Sequence, residues 1–209
     1  MVQVNCPSCG GPVKFQSAVS VFAICPYCTS MLVRHDVDVE AIGKMAQLTE
    51  DMSPLQIGSQ GRHEGLHFQL IGRIRQAWSD GFWNEWFAIF DDARRGWLAE
   101  AQGFYSINFE VDVFRELPPR ESVKPGMELK IQSDRWHVDD IKQVSCAGSE
   151  GELPFRAVRD RQSVSVDLSA PDNKFACIEY ADDGMRFFVG KYCELDHLQF
   201  RNLRQLDGW

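Results

Sequence analysis

The first 35 residues contain no Asp and no Glu, so the acid behind the formal net charge of −8 lies wholly beyond them. An acidic chain excludes general attraction to nucleic acid, because backbone phosphates must be neutralised by Lys and Arg. The opening MVQVNC has neither a charged n-region nor an apolar h-region, so no secretory leader is expected. Nor does any stretch read as a transmembrane segment. The longest uncharged run, Phe15–Val33, is near a span in length but holds Gln16, Pro26 and two Cys at ligand spacing. A Ser–His–Asp set, a phosphate-cradling glycine loop and a histidine-rich metal motif are all missing. A cytoplasmic, non-enzymatic protein is therefore expected.

What is present begins with cysteine. Four of the seven Cys fall in two C-x-x-C units, Cys6-Pro-Ser-Cys9 and Cys25-Pro-Tyr-Cys28. Paired units of this kind point to metal in a reducing compartment rather than to disulfides. Each unit forms a tight knuckle, and Gly10 and Gly11 give the first the backbone freedom it needs. Four thiolates complete a closed tetrahedral shell, so Cys6, Cys9, Cys25 and Cys28 are expected to hold one structural Zn²⁺ with no open position for water. Residues 1–35 resemble a zinc ribbon, a family whose members bind DNA, RNA or protein, or stabilise a neighbouring domain.

The remainder reads as strands. In Gly81–Gly103, apolar runs at Trp86–Phe90 and Trp97–Ala101 flank a charged, Gly-ended turn, which predicts a buried hairpin. Lys174–Gly190 echoes it, which predicts an internal duplication with Trp86–Ala101 overlaying Phe175–Val189. Tyr105, Ile107, Phe109, Val111 and Val113 alternate with Ser106, Asn108, Glu110 and Asp112, the pattern of a half-buried antiparallel strand. Ser145–Gly151 and Gly148–Pro154 read as loop. The fold class expected is all-β: a ribbon (1–35), a linker or short helix (36–54), a first β-unit (55–114), a linker (115–126) and a second β-unit (127–209). The units suit small barrels or one continuous sandwich.

The runs LQIGSQGRHEGLHFQLIGRI, WNEWFAIFDD, GWLAEAQG, GELP and FVGKYCEL resemble bacterial domain-of-unknown-function family 4178 over about residues 36–205. The resemblance implies a ribbon followed by two copies of a β-rich unit. It also implies association with a membrane or envelope assembly, peripheral and through a partner. It implies no activity.

Other groupings have plainer explanations. The pairs Asp91–Asp92, Asp139–Asp140 and Asp182–Asp183 suit turns as well as they suit a cation or a catalytic carboxylate pair. Cys193 lies near His197 in sequence, but a nucleophile and its base must touch in space. The Trp-rich hairpin with Arg73, Arg75, Arg94 and Arg95 has the residue types for stacking single-stranded bases, yet Trp in apolar runs is ordinarily core. Trp78 and Trp83 are expected to be the exposed ones. The function expected is a protein-binding or scaffold module. Nucleic-acid binding through the ribbon and exposed aromatics is the alternative, and an enzyme comes third. Residues 1–35 are expected to unfold alone if the metal is lost.

Overall fold

The computed structural model describes residues 2–36, 38–49, 51–113 and 117–206. Strands β1 (Val2–Asn5) and β2 (Pro12–Phe15) pair as a hairpin. Strands β3 (Phe22–Ile24), β4 (Ser30–His35) and β5 (Asp38–Lys44) form an antiparallel meander. The segment expected as a linker or short helix thus begins as a strand. Val39 and Ala41 alternate inward onto the ribbon core, the period of a strand and not of a helix. The chain turns into β5 at Asp36, which takes the left-handed region at φ 53°. Among the described residues no helix is long and apolar enough to cross a membrane.

Two five-strand meanders follow. The first comprises β6 (Gln60–His63), β7 (Leu66–Trp78), β8 (Gly81–Phe90), β9 (Arg95–Ala101) and β10 (Phe104–Glu110). The second comprises β11 (Glu128–Ile131), β12 (Asp134–Leu153), β13 (Gln162–Ala170), β14 (Lys174–Ala181) and β15 (Gly184–Cys193). Each strand pairs antiparallel with the next in its meander. Two seams join the meanders: β7 with β12, and β10 with β15. The order β7-β8-β9-β10-β15-β14-β13-β12 therefore returns to β7 and closes an eight-stranded barrel. The sequence left open whether the units were separate; each supplies four strands to one ring. At the β10–β15 seam the backbones approach closely, since a Cβ on Gly190 would lie 1.8 Å from Ile107 O.

The expected overlay is displaced by one strand. Short β6 and β11 occupy matching places, so the Trp86–Ala101 hairpin corresponds in topology to β13–β14, and β14–β15 corresponds to β9–β10. The Asp182–Asp183 turn therefore matches Gln102–Gly103 rather than Asp91–Gly96. Turn composition is a local signal and does not fix a hairpin's place in a meander.

Side chains alternate across this wall, and its two faces differ in kind. The outward face is apolar and covered. Over the first meander, Trp86, Phe90, Leu98 and Ile107 pack with Leu55 and with Leu198 of the 3-10 helix Leu195–Leu198. Over the second, Val166, Leu168, Ile178 and Phe187 pack with Val113, Leu117 and Val123. The expected linker 115–126 is thus packed onto the wall from Leu117 onward; residues 115 and 116 lie outside the described residues.

The ribbon is built into the barrel. The expected loops at Ser145–Gly151 and Gly148–Pro154 are instead the second half of the 20-residue β12, up to Leu153. Here β12 pairs with β7, and then Glu152 and Leu153 pair with Ala23 and Phe22 of β3. The Glu152 carboxylate, 3% exposed as a residue, accepts backbone N–H bonds from Gln16 at 2.8 Å and Ser17 at 3.1 Å. Phe22 and Val33 share one buried cluster with Ile74, Phe87, Trp97 and Leu153. The two parts have a common core, contrary to the expectation that the main domain makes no use of residues 1–35.

Candidate ligand cavity and metal centre

The two knuckles are built alike. Gly10 N–H donates to Cys6 O at 2.8 Å, and Thr29 N–H donates to Cys25 O at 3.0 Å. Gly10 and Thr29 follow the second cysteine of each unit and both take positive φ, 76° and 59°. This turns each pair of thiols toward the same point. Cys6 Sγ lies 3.7 Å from Cys28 Sγ, and Cys9 Sγ lies 3.7 Å from Cys25 Sγ. All four sulfurs fall within 4.8 Å of one another, and none forms a disulfide. Four sulfurs at about 2.3 Å from one tetrahedral ion would stand about 3.8 Å apart, so the donor set fits such an ion. Among the described residues this is the one group of three or more His, Cys, Asp or Glu side chains gathered as ligands.

The barrel's inner face lines a cavity of about 1020 Å³. Every strand of the ring contributes. Gln76 and Trp78 come from β7, Trp83 and Glu85 from β8, Trp97 and Ala99 from β9, and Ser106 and Asn108 from β10. Lys142 and Val144 come from β12, Ser163, Ser165 and Asp167 from β13, Phe175, Cys177 and Glu179 from β14, and Phe188 and Tyr192 from β15. An eight-stranded barrel is at the size where side chains either fill the interior or leave room for one small ligand. Here the small side chains of Ala99, Ser106, Ser163 and Ser165 leave the room. The Ala101–Phe104 turn, Asn173 and the Tyr192–His197 segment line one end, where Phe104 is 72% exposed. The other end is floored by Phe155, whose ring lies 6.0 Å from Trp97 and beneath the guanidinium groups of Arg161 and Arg186.

The charges within are unevenly neutralised. Glu179 is held by Arg161 at 2.7 Å and Arg186 at 3.0 Å, and both arginines also grip Asp183. Glu85 has neutral donors instead: Trp83 Nε1 at 2.9 Å and Gln76 Nε2 at 3.4 Å. Burial first, then the nearby Glu179 and Asp167 charges, push its carboxyl up to about 7. Burial also raises Asp167, with Lys142 Nζ 3.8 Å away and itself bonded to Asp140. Asn108 donates to Ser106 Oγ at 3.0 Å, while its buried Oδ1 has no partner.

A second polar cluster sits on the outer wall of the first meander. Asp51 pairs with Arg73, with Arg75 at 2.5 Å and with Arg204 at 3.2 Å, and accepts from Asn84 at 2.9 Å. Glu100 accepts from Ser53 at 2.7 Å, Trp86 Nε1 at 3.0 Å and Asn84 at 3.1 Å. This fastens Asp51 and Ser53 to the barrel. It also accounts for Arg73 and Arg75, which are 5% and 4% exposed and unavailable to a base or phosphate.

The remaining groups depart in part from their expected settings: Asp139–Asp140 lie within β12, at its bulge, rather than in a turn. Trp78 and Trp83 are half-buried at the cavity, with ring centroids 5.3 Å apart. Asp92 caps its own turn by accepting from Arg94 N–H at 3.1 Å, as turn chemistry requires. Burial pushes the Cys193 thiol up to about 11, and Cys146 likewise to about 11, so neither is poised as a thiolate. Cys146 lies within β12 rather than in a loop. Sequence reasoning missed the cavity residues Glu85, Asp167 and Asn108. Their one signal was position, polar side chains in alternation with apolar ones.

The molecule is thus an all-β protein in which a four-cysteine ribbon is fused to a hollow eight-stranded barrel. The family described as Domain of unknown function (DUF4178) matches residues 56–195, and the chain belongs to that family. The match runs from the lead-in of β6 through the last barrel strand. No curated protein and no solved structure matches the chain.

Proposed function

We propose that this protein is a small-molecule binding module whose ligand sits in the barrel lumen, with a zinc-loaded ribbon as a fixed part of its core. The observation that carries the reading is the cavity of about 1020 Å³ lined by all eight strands. Its size and its mixture of aromatic walls with a few polar groups are those of a ligand pocket. Ser165 donates to Asp167 at 3.2 Å inside the lumen, but burial raises both that carboxyl and the neighbouring Cys177 thiol, which supports binding over turnover. Zinc is the metal inferred, because a closed four-thiolate tetrahedral shell is its characteristic structural site. We read the two meanders as a duplicated unit. A reducing, cytoplasmic setting belongs to the same reading, supported by seven cysteines of which none forms a disulfide.

Docking to a protein partner, at a membrane assembly or elsewhere, has slighter support: Tyr27, 64% exposed in the second knuckle. Nucleic-acid binding has less, since Arg73 and Arg75 are committed to Asp51, and Arg161 and Arg186 to Glu179 and Asp183.

The test is a titration with N-phenyl-1-naphthylamine, an apolar probe uncharged at neutral pH. Saturable 1:1 fluorescence enhancement is expected, and Ala99→Trp should weaken it at least about tenfold by filling the lumen. Absence of saturable binding would overturn the proposal. So would binding undiminished in a folded Ala99→Trp variant.

A further inference from the structure

The lumen is rich in acceptors and poor in donors with nothing to bond. Glu85 is met by two neutral donors, and among the described residues no cation lies within ion-pair distance of it. Asp167 has Ser165 Oγ at 3.2 Å and only the distant, shared Lys142. Asn108 is 4% exposed, and its Oδ1 accepts from nothing. That atom is shut off from the lumen, so the acceptors a bound molecule can reach are the carboxylates of Glu85 and Asp167. Lys142 is already bonded to Asp140, and Glu179 is already matched by two arginines.

Charge and shape restrict what fits. An anion would face Glu85 and Asp167, and among the described lining residues the one lysine, Lys142, is already bonded to Asp140. A bare divalent ion needs six or more oxygens drawn together, and among the described residues no carboxylates gather in that way. The walls are aromatic: Trp78, Trp83, Trp97, Phe175, Phe188 and Tyr192 line the same space. Ring faces attract cations, and the effect grows where water is excluded. The exposed Phe104 at the rim offers an apolar surface on which an amphipathic molecule would first land.

Resting on the lumen-binding reading, we infer that the ligand is an organic cation, a primary ammonium carried on an apolar body. The ammonium supplies N–H donors to Glu85, and the Asp167 carboxylate lines the same cavity. The apolar body lies against the tryptophan and phenylalanine walls toward Phe155. A primary ammonium serves better than a quaternary one, because the Glu85 carboxylate can accept its N–H bonds as well as its charge.

Three isosteric probes separate the possibilities: 3-phenylpropylammonium, 3-phenyl-1-propanol and 3-phenylpropionate, titrated calorimetrically at pH 8. The ammonium should bind at least about tenfold tighter than the alcohol, and the carboxylate weakest. Glu85→Gln should erase most of that preference of ammonium over alcohol, and Asp167→Asn should reduce it. Both are near-isosteric, and binding of N-phenyl-1-naphthylamine checks that the lumen of each remains intact. Equal binding of all three probes would overturn the cation assignment while leaving the lumen reading standing. Ammonium binding indifferent to both substitutions would place the cation elsewhere and overturn it as well. Failure of every probe, the naphthylamine included, would overturn the lumen reading itself.

Discussion

Phe22 of the ribbon lies directly opposite Leu153 across the last rung of β12, and both side chains are wholly buried. That rung makes one core of two parts that the cysteine pattern presents as separate. It also changes what loss of the metal should do.

Purified protein is expected to carry about one equivalent of Zn²⁺ per chain by elemental analysis, since four thiolates satisfy one tetrahedral ion. Cys25→Ser should abolish it. Because Phe22 and Val33 belong to the barrel's cluster, the metal-free protein should melt at lower temperature throughout, not in the ribbon alone. Iron in place of zinc, or an unchanged barrel transition, would contradict this.

Phe22→Ala should cost about 3–5 kcal/mol in urea unfolding, the range for truncating a fully buried aromatic. Tyr27→Ala, at an exposed ring, should cost a small fraction of that. Equal effects would show that the shared cluster does not couple the two parts.

Asp51→Ala strands Arg73 and Arg75 beneath the segment they hold, and should destabilise by about 3–5 kcal/mol. Burial alone would raise the Asp51 carboxyl. The Asn84 hydrogen bond and the Arg73 and Arg75 charges outweigh it and lower the pKa below 3.8. A depressed carboxylate stabilises the fold above its unfolded pKa, and that stability is lost as pH falls through the folded value. The loss attributable to Asp51 should therefore come below about pH 4 and be missing from the Ala variant, as read by acid titration of ellipticity.

Glu85 has the opposite sign. Its carboxyl sits at about 7 in the fold against 4.5 unperturbed, so the folded state binds the proton more tightly than the unfolded chain. Stability should fall as pH rises from about 4.5 to above 7, by up to about 3 kcal/mol from this group. The charged neighbours are Glu179, matched by Arg161 and Arg186, and Asp167, near Lys142. Glu85→Gln should flatten the profile and leave the variant the more stable at pH 8. A variant less stable than the parent at pH 8 would refute the assignment.

No saturable binding of single- or double-stranded DNA or RNA is expected at about 150 mM salt, at affinities tighter than the ~10⁻⁶ M edge of non-specific binding. Polarisation titration is the measurement. Tight binding lost on raising the salt would point to phosphate contacts that the paired arginines do not predict.

Much was fixed by local chemistry. Two C-x-x-C units define a four-thiolate site because each knuckle is set by its own short turn, whatever surrounds it. Alternation in Tyr105–Val113 makes a strand with one apolar side, and Trp86 is core because its neighbours are apolar. What period two could not say is where the polar side faces. Ser106 and Asn108 read as a solvent face, yet they are 3% and 4% exposed, because the ring closes around them. Closure depends on β7 meeting β12 and β10 meeting β15, pairings between residues far apart in the chain that leave no local mark. The same holds for Gly148–Leu153, which has loop composition and becomes strand because β7 and β3 supply its partners. The sequence by itself determined the four-cysteine cluster and most of the strands. Only the tertiary structure decided that the apolar faces turn outward beneath wrapped segments, that the polar faces enclose a cavity, and that Glu85, Asp167 and Asn108 all line it.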